Sequence, residues 1–321
     1  MKSLYGDIRW AKLQEPREGG TLEEYSFSNS KGHIIYRYIL KEAGTLNGIK
    51  YFDIASFRGA AGPIAEYVQS GFEEEFMDEF IADFEQYCIE KNIIAEFAKI
   101  DPWAEYHTLI EKKCKAVYYG NFYCNDLTED FFELTYNRNA KRGIKKAING
   151  GVKVVIDKVG TSINDFVRLY QNTESKYHTG AYYNFDYDDI KEYFDKLPND
   201  TFLINAVLNS EIITSVLVVC GEDIMHYYLL GNNATYLNLQ CNSLLTYQTA
   251  LYGKKIGKKI FDMGGGKAGG NIEIFKKNFC GEKGITPYYA IKKVHNDSVY
   301  EELVRQKDVI KNENFFPLYR G

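Results

Sequence analysis

The sequence predicts an α+β protein made of two similar halves in tandem, each a mixed, mostly antiparallel sheet flanked by helices. Three observations predict it. Residues 201–208, 212–220 and 224–230 are rich in β-branched and aromatic residues, and hairpin-sized connections (Asn209-Ser210-Glu211 and Gly221-Glu222-Asp223) join them as an antiparallel meander. Phe72, Phe76, Met77, Phe80, Ile81, Phe84, Tyr87 and Cys88 recur every three or four residues with acids between them, the pattern of an amphipathic helix. The order of antiparallel strands, glycine-bearing turn, long helix and further strand also occurs twice. A chain of 321 residues exceeds what one core usually serves, so two domains are expected, residues 1–150 and 151–321.

Taken in order, a polar lead-in with Pro16 and Gly19-Gly20 precedes a strand over residues 32–40, a turn over 44–48 and a strand over 49–55. The stretch Ser56-Phe57-Arg58-Gly59-Ala60-Ala61-Gly62-Pro63 is too rich in small residues for regular structure. The amphipathic helix comes next, closed by Asn92 as a C-terminal cap, and residues 93–100 return as a strand. Residues 101–125 read as short strands around Tyr118 and Tyr119. A helix over 128–149 carries Arg138, Lys141, Arg142, Lys145 and Lys146, the strongest local anion patch in the chain, although most such helices are simply solvated faces. Beyond Gly150-Gly151 come a strand over 152–157, a helix from the N-cap Ser162 to about residue 177, and a tyrosine-rich loop with a short helix ending near Pro198. After the meander the pattern gives a helix over 242–256, a strand over 259–263, a glycine loop, a helix bearing Lys276, a strand over 285–294 and a helical tail.

Composition narrows the function. The formal charge of −5 provides no global field for polyanions, so any nucleic-acid contact has to use local patches. The six cysteines form no C-x-x-C pair and none has zinc-ligand spacing with a histidine, which predicts reduced thiols and no metal site. Residues 1–10 lack the apolar stretch of a signal peptide, and no apolar run spans a bilayer. A cytoplasmic protein is expected, one that meets any lipid substrate from the cytosolic side. Tyrosine at 27 residues suits a cleft that grips a sugar or peptide, although much of it must simply be core.

The stretch Phe261-Asp262-Met263-Gly264-Gly265-Gly266-Lys267-Ala268-Gly269-Gly270 leads from a strand into the helix with Phe275 and Lys276. Five glycines imply close backbone approach, and loop N–H groups before a helix N-terminus suit an anion or a developing oxyanion; a plain surface loop is the alternative. Together with Ile274-Phe275-Lys276, the stretch resembles the Fem-type aminoacyltransferases (FemABX-like) of the GNAT acyltransferase superfamily. Arg142-Gly143-Ile144-Lys145-Lys146-Ala147, the Ser56–Pro63 loop and His226-Tyr227-Tyr228-Leu229-Leu230-Gly231 fit the same family in the expected order. Departures stand at Phe57-Arg58-Gly59-Ala60, where the family has a tyrosine and paired glycines, and at Lys176, which takes the place of a family arginine.

The resemblance implies two tandem GNAT-like domains and acyl or aminoacyl transfer to an amine of a cell-envelope precursor, nucleotide- or lipid-linked, such as a peptidoglycan stem peptide or amino sugar. It implies Lys276 as the catalytic group that stabilises the oxyanion, with Phe275 and the backbone of Gly264, Gly265 and Gly266 beside it. Arg58 and Lys176 are expected to hold an anionic group of the acceptor, and Tyr51, Tyr182, Tyr183, Tyr227 and Tyr228 to line a cleft between the halves; alternation sends Tyr227 and Tyr228 to opposite faces. No cofactor is expected to bind tightly. The donor is aminoacyl-tRNA, held by lysines such as Lys254, Lys255, Lys258 and Lys259, or acyl-CoA. His178 and His226 read as structural. Two other readings stay open: an acyl-CoA-dependent N-acyltransferase of a sugar nucleotide, and a non-catalytic relative that binds sugar or peptide. An RNA-binding protein is a weaker one, lacking an RNA-reading motif.

Overall fold

The computed structural model describes residues 1–177, 181–307 and 309–321, without the side chains of 174–177 and 181. The chain divides into two compact units: an N-terminal unit of Tyr5–Tyr119 with Pro287–Gly321, and a central unit of Met1–Leu4 with Gly120–Thr286. The partition therefore falls near residues 119 and 286 and not after residue 150. The physical reason is burial: Ala140, Ile144 and Ala147 sit in the core of the central unit, while Ala290–Val294 return to pair with a strand of the N-terminal unit.

The N-terminal unit opens with helix α1 (Ile8–Glu18), capped by Asp7, which accepts from the Arg9 N–H at 2.8 Å, and ended by Gly19 in the left-handed region. Strands β1 (Thr21–Asn29), β2 (Gly32–Leu46) and β3 (Ile49–Ala55) form an antiparallel meander, and β4 (Ile64–Val68) pairs with the start of β2. The β2–β3 turn falls on Asn47-Gly48, both with positive φ (51° and 78°), the geometry that favours this dipeptide in a two-residue hairpin. Helix α2 (Glu73–Glu90) places three glutamates in its first turn, where the helix dipole favours them, and buries Phe76, Met77, Phe80, Phe84 and Cys88. Asn92 takes the left-handed conformation that ends it (φ 55°), and β5 (Ile93–Lys99) then runs parallel to β3. Helix α3 (His107–Lys113) comes after it.

The central unit contains β6 (Val117–Asp126), α4 (Phe131–Leu134), α5 (Arg138–Asn149), β7 (Lys153–Asp157), α6 (Ile163–Tyr177) and α7 (Tyr187–Lys196), with β6 beginning in the last residues of the N-terminal unit. The meander β8 (Thr201–Leu208), β9 (Glu211–Cys220) and β10 (Ile224–Asn232) leads to α8 (Cys241–Lys255), β11 (Ile260–Asp262) and α9 (Asn271–Cys280). Its strands lie in the order β7-β8-β9-β10-β11-β6, and every pair is antiparallel except β10/β11. Strand β12 (Ile285–Val294) then carries the chain back to β5, and α10 (Asp297–Arg305) packs Leu303 against Ile94, Ala95 and Tyr319. Each unit thus has the repeated order read in the sequence: a meander, a long helix, and a strand parallel to the meander's last member.

Four elements escape the sequence pattern. Helix α1 hides behind Pro16, which its last turn tolerates; β1 and β4 are short or polar edge strands, and α3 has one buried apolar residue, Ile110. The helix expected over 128–149 is two helices, because Asn137 turns its side chain onto the N–H groups of Asn139 and Ala140 and starts α5 afresh. Ser162 directs its Oγ to Asp157 at 2.7 Å, and its N–H goes to the same carboxylate.

Candidate functional site

The site of the central unit grows from the parallel pair β10/β11, whose last registered partners are His226 and Asp262. Both side chains are buried, and His226 Nδ1 lies 2.9 Å from Asp262 Oδ2. A carboxylate only accepts, so Nδ1 carries the proton of this bond. Asp262 Oδ1 accepts from the Gly264 N–H at 2.7 Å and has the thiol of Cys124 3.8 Å away. Burial pushes that thiol well above its ordinary range, with Asp262 adding to the effect, so it stays neutral.

Gly264 has φ +75°, a conformation L side chains rarely adopt, and a Cβ there would come within 3.5 Å of Lys276 Nζ. The bend is tied to its neighbours throughout. Besides the Gly264–Asp262 bond, the Gly269 N–H donates to Glu273, the Gly270 N–H donates to Lys267 O at 2.9 Å, and Lys276 Nζ donates to Gly265 O. The expected cradle of loop N–H groups is accordingly corrected at Gly264, Gly269 and Gly270, whose donors the fold itself uses. Glu273 also accepts from Tyr123 at 2.7 Å and Lys277 at 2.9 Å; Lys277, then Tyr123 and the Gly269 N–H, draw its carboxyl down to about 2.

Lys276 is half-buried with its ammonium desolvated. Burial lowers it to about 8 against the opposing pull of Asp262. An ammonium fixed in a water-poor place is a strong stabiliser of developing negative charge. Phe275, its neighbour, packs on Phe279 with centroids 4.9 Å apart and lines a cavity of about 380 Å³. Asn139, Arg142, Gly143 and Lys146 of α5, Gln240 and Ser243 at the start of α8, and Asn278 of α9 complete the lining. Helix α8 starts from Gln240 in the left-handed region without a side-chain cap, so a 15-residue helix presents its positive end beside Arg142 and Lys146. Gly143 lets α5 and α8 approach: a Cβ would meet Ser243 Oγ at 2.6 Å.

The remaining expected residues fall in both units. Tyr51, like Val299, Tyr300 and Phe316, packs against the cluster of Ile94, Ala95, Leu303 and Tyr319 in the N-terminal unit. In that unit Arg58 has its N–H on Glu18 (2.8 Å) and its carbonyl under the Trp10 indole N–H (2.9 Å). Lys176 belongs to α6, but its side chain, like all of His178, lies outside the described residues. Tyr182 and Tyr183 stand edge to face at 5.2 Å on a short 3-10 turn. As alternation requires, Tyr227 packs on the main core beside Phe261, and Tyr228 bonds the Tyr193 hydroxyl at 2.9 Å on the opposite face.

Three of the lysines expected to meet a donor are engaged elsewhere, at the far end of α8. Lys254 donates to Glu129 O, Lys258 to Gly221 O and Glu222 O, and Lys259 pairs with Asp223 at 2.7 Å. Carbonyls of Glu129, Gly221 and Glu222 and the carboxylate of Asp223 take up these cations, which sequence spacing did not show. The cations that line the cavity beside Phe275 are Arg142 and Lys146, whose four-residue spacing on α5 was visible in the sequence. The His226–Asp262 pair was not legible, because it joins residues 36 apart through strand register. Among the described residues no group of three or more His, Cys, Asp or Glu could hold a metal ion, and no helix is long and apolar enough to cross a membrane.

Residues 135–277, from the approach to α5 through Lys276, match the model of a family described as an acetyltransferase (GNAT) domain. Among solved structures the chain is similar to FemX, at 11% identity and a TM-score of 0.66, over 92% of this chain and 93% of that one. It is similar to the C-terminal domain of a putative lysylphosphatidylglycerol synthetase from Agrobacterium fabrum at 15% identity and a TM-score of 0.57, over 92% and 88%. L-PGS from Bacillus licheniformis matches at 11% identity and a TM-score of 0.52, over 92% and 94%. No curated protein sequence matches the chain. At these identities the likeness is one of fold. Residues 135–277 match the GNAT domain model, and the fold is similar to that of FemX, as the sequence resemblance implied.

Proposed function

We propose that this protein transfers an acyl or aminoacyl group from a phosphate-bearing carrier, aminoacyl-tRNA or acyl-CoA, to an amine of a cell-envelope precursor, and works in the cytoplasm. The observation that carries this reading is the desolvated ammonium of Lys276, fixed on the glycine bend by its bond to Gly265 O, one residue after Phe275, which lines the basic cavity. The amine lone pair attacks the acyl carbonyl, and the oxyanion that forms is neutralised by Lys276. Collapse breaks the ester C–O or thioester C–S bond, and the amine proton leaves with the carrier's oxygen or sulfur. The products are an amide and the free carrier.

The carrier's phosphates find Arg142, Lys146 and the uncapped start of α8 in the cavity. The glycine-rich turn that holds the CoA pyrophosphate in the GNAT resemblance has no counterpart between β10 and α8; a 3-10 turn, Ala234–Leu239, fills that connection. This favours Arg142, Lys146 and the start of α8 over a glycine-rich turn as the phosphate ligands.

Purified protein assayed with aminoacyl-tRNA and acyl-CoA against nucleotide-linked precursors tests the reading, with amide formation expected from one donor class. Lys276→Ala is expected to lower the turnover rate by about 10²- to 10³-fold, the cost of losing one oxyanion donor, while the fold is kept. Undiminished transfer by that variant would remove Lys276 from the chemistry. Binding of a precursor without product from either donor would leave a non-catalytic relative.

A further inference from the structure

Asp262 is the residue on which the site converges. It is 1% exposed, at the end of the shortest strand of the central unit, yet it accepts from three elements besides its own: β10 through His226 Nδ1, the glycine bend through the Gly264 N–H, and β6 through the Cys124 thiol. A buried carboxylate is costly unless its oxygens are paired, and here each of them is. Those bonds give each oxygen a donor without cancelling the charge.

That charge is directed at Lys276. Two groups from neighbouring elements act on the ammonium: Asp262 from β11, most strongly, and Cys124 from β6. Cys124 remains a neutral thiol. On α9 itself Glu273 is held by Lys277, Tyr123 and the Gly269 N–H. His226, from β10, meets the other oxygen of Asp262. Asp262 is therefore the anion that opposes the desolvation of Lys276, while its bond to Gly264 sets the bend whose next carbonyl receives the ammonium.

We propose that Asp262 is the positioning residue for Lys276: it fixes the glycine bend that seats the ammonium and keeps that ammonium a cation in a site poor in water, while His226 fixes the carboxylate. Its role in catalysis rests on the acyl-transfer reading; its physical content does not. Asp262 never touches the reacting atoms in this scheme, and it acts only through the lysine.

The test monitors the Lys276 side chain by NMR in protein with 13C- and 15N-labelled lysine, the resonance being assigned by its absence in Lys276→Met. In Asp262→Asn the ammonium is expected to lose its proton at a pH lower by about one unit or more, the usual effect of removing a nearby opposite charge. Asp262→Glu is expected to lie between that variant and wild type. Where transfer is measurable, the alkaline limb of the rate profile is expected to move with the NMR midpoint and the loss to fall on kcat. An unchanged Lys276 midpoint in folded Asp262→Asn overturns the proposal. If that variant does not fold, wild type supplies the answer, since the carboxyl carbon of Asp262 should show a step at the pH where Lys276 deprotonates. Absence of that step overturns the proposal equally. No substrate enters the NMR arm, so it is decided separately from the acyl-transfer reading, which fails if Lys276→Ala is fully active.

Discussion

Both units place a buried carboxylate on the strand that returns, after the long helix, parallel to the end of a meander: Glu96 on β5 and Asp262 on β11. Both carboxylates meet a histidine, His295 at 3.2 Å and His226 at 2.9 Å. They differ in what the second oxygen does. Glu96 accepts from the Tyr36 hydroxyl at 2.9 Å, with Phe84 edge-on to His295, and the nearby Lys293 is taken by Glu85. Asp262 accepts from a glycine N–H at a bend, and its charge reaches an ammonium that burial has destabilised. One framework position thus fastens a sheet in the N-terminal unit and fixes the bend that seats the Lys276 ammonium in the central one. The difference lies in the segment beyond the strand: residues 100–106 lead β5 into α3, whereas Met263 and a run of glycines lead β11 into α9.

If that division of labour is right, removing the two carboxylates has opposite signatures. Glu96→Ala leaves the Tyr36 hydroxyl and the His295 ring without their buried partner and is expected to cost about 3 kcal/mol of stability, read as a lower urea midpoint or melting temperature. The Lys276 midpoint and the transfer rate per folded molecule are expected to stay at wild-type values. A large loss of rate in fully folded Glu96→Ala would break the comparison.

The second expected effect is on pH dependence and separates two roles for Lys276. Its native value of about 8 lies below the ordinary 10.5, so the ammonium is present below pH 8 and disappears above it. As an oxyanion stabiliser it predicts a rate that falls about tenfold per unit above pH 8; as a general base it would predict a rate that rises towards pH 8. Stability moves the other way. Between about 8 and 10.5 the unfolded chain binds the proton that the native one has released, so stability rises with pH across that window. Lys276→Met is expected to abolish both features, and a rate that climbs through pH 8 would reassign the lysine.

Much of this was legible before any coordinates. The repeat of meander, helix and strand was written in hydrophobic period and turn residues, and Gly264 with Phe275-Lys276 in a local motif. The contacts that make a site of them were not, because they run through strand register and helix ends. Asp262 meets His226 only after β10 and β11 align, and Tyr123 reaches Glu273 across 150 residues. The lysines around 254–259 show the converse error. They form a dense cluster in the sequence, but the carbonyls and the aspartate at the end of α8 claim three of them, whereas the sparser Arg142 and Lys146 face a cavity. Charge density along a chain does not say which charges the fold will use.

That contrast gives the smallest expected effect and the sharpest control. Arg142→Ala with Lys146→Ala removes two cations that line the cavity, where Gln240 and Ser243 mark the start of α8, and leaves Lys276 in place. If they meet the carrier's phosphates, KM for the donor is expected to rise about tenfold with kcat nearly unchanged, because such contacts hold ground state and transition state alike. The salt dependence of donor binding should flatten as well, by about 0.7 for each phosphate left without its cation on a single-stranded carrier. Lys254→Ala is the matched control: it removes one positive charge from the other end of α8, where the ammonium only satisfies Glu129 O, and should leave donor KM and salt slope alone. Equal loss from both substitutions would mean that general charge attracts the donor; loss confined to Arg142 and Lys146 would mean that the donor enters at the positive end of α8, next to Phe275.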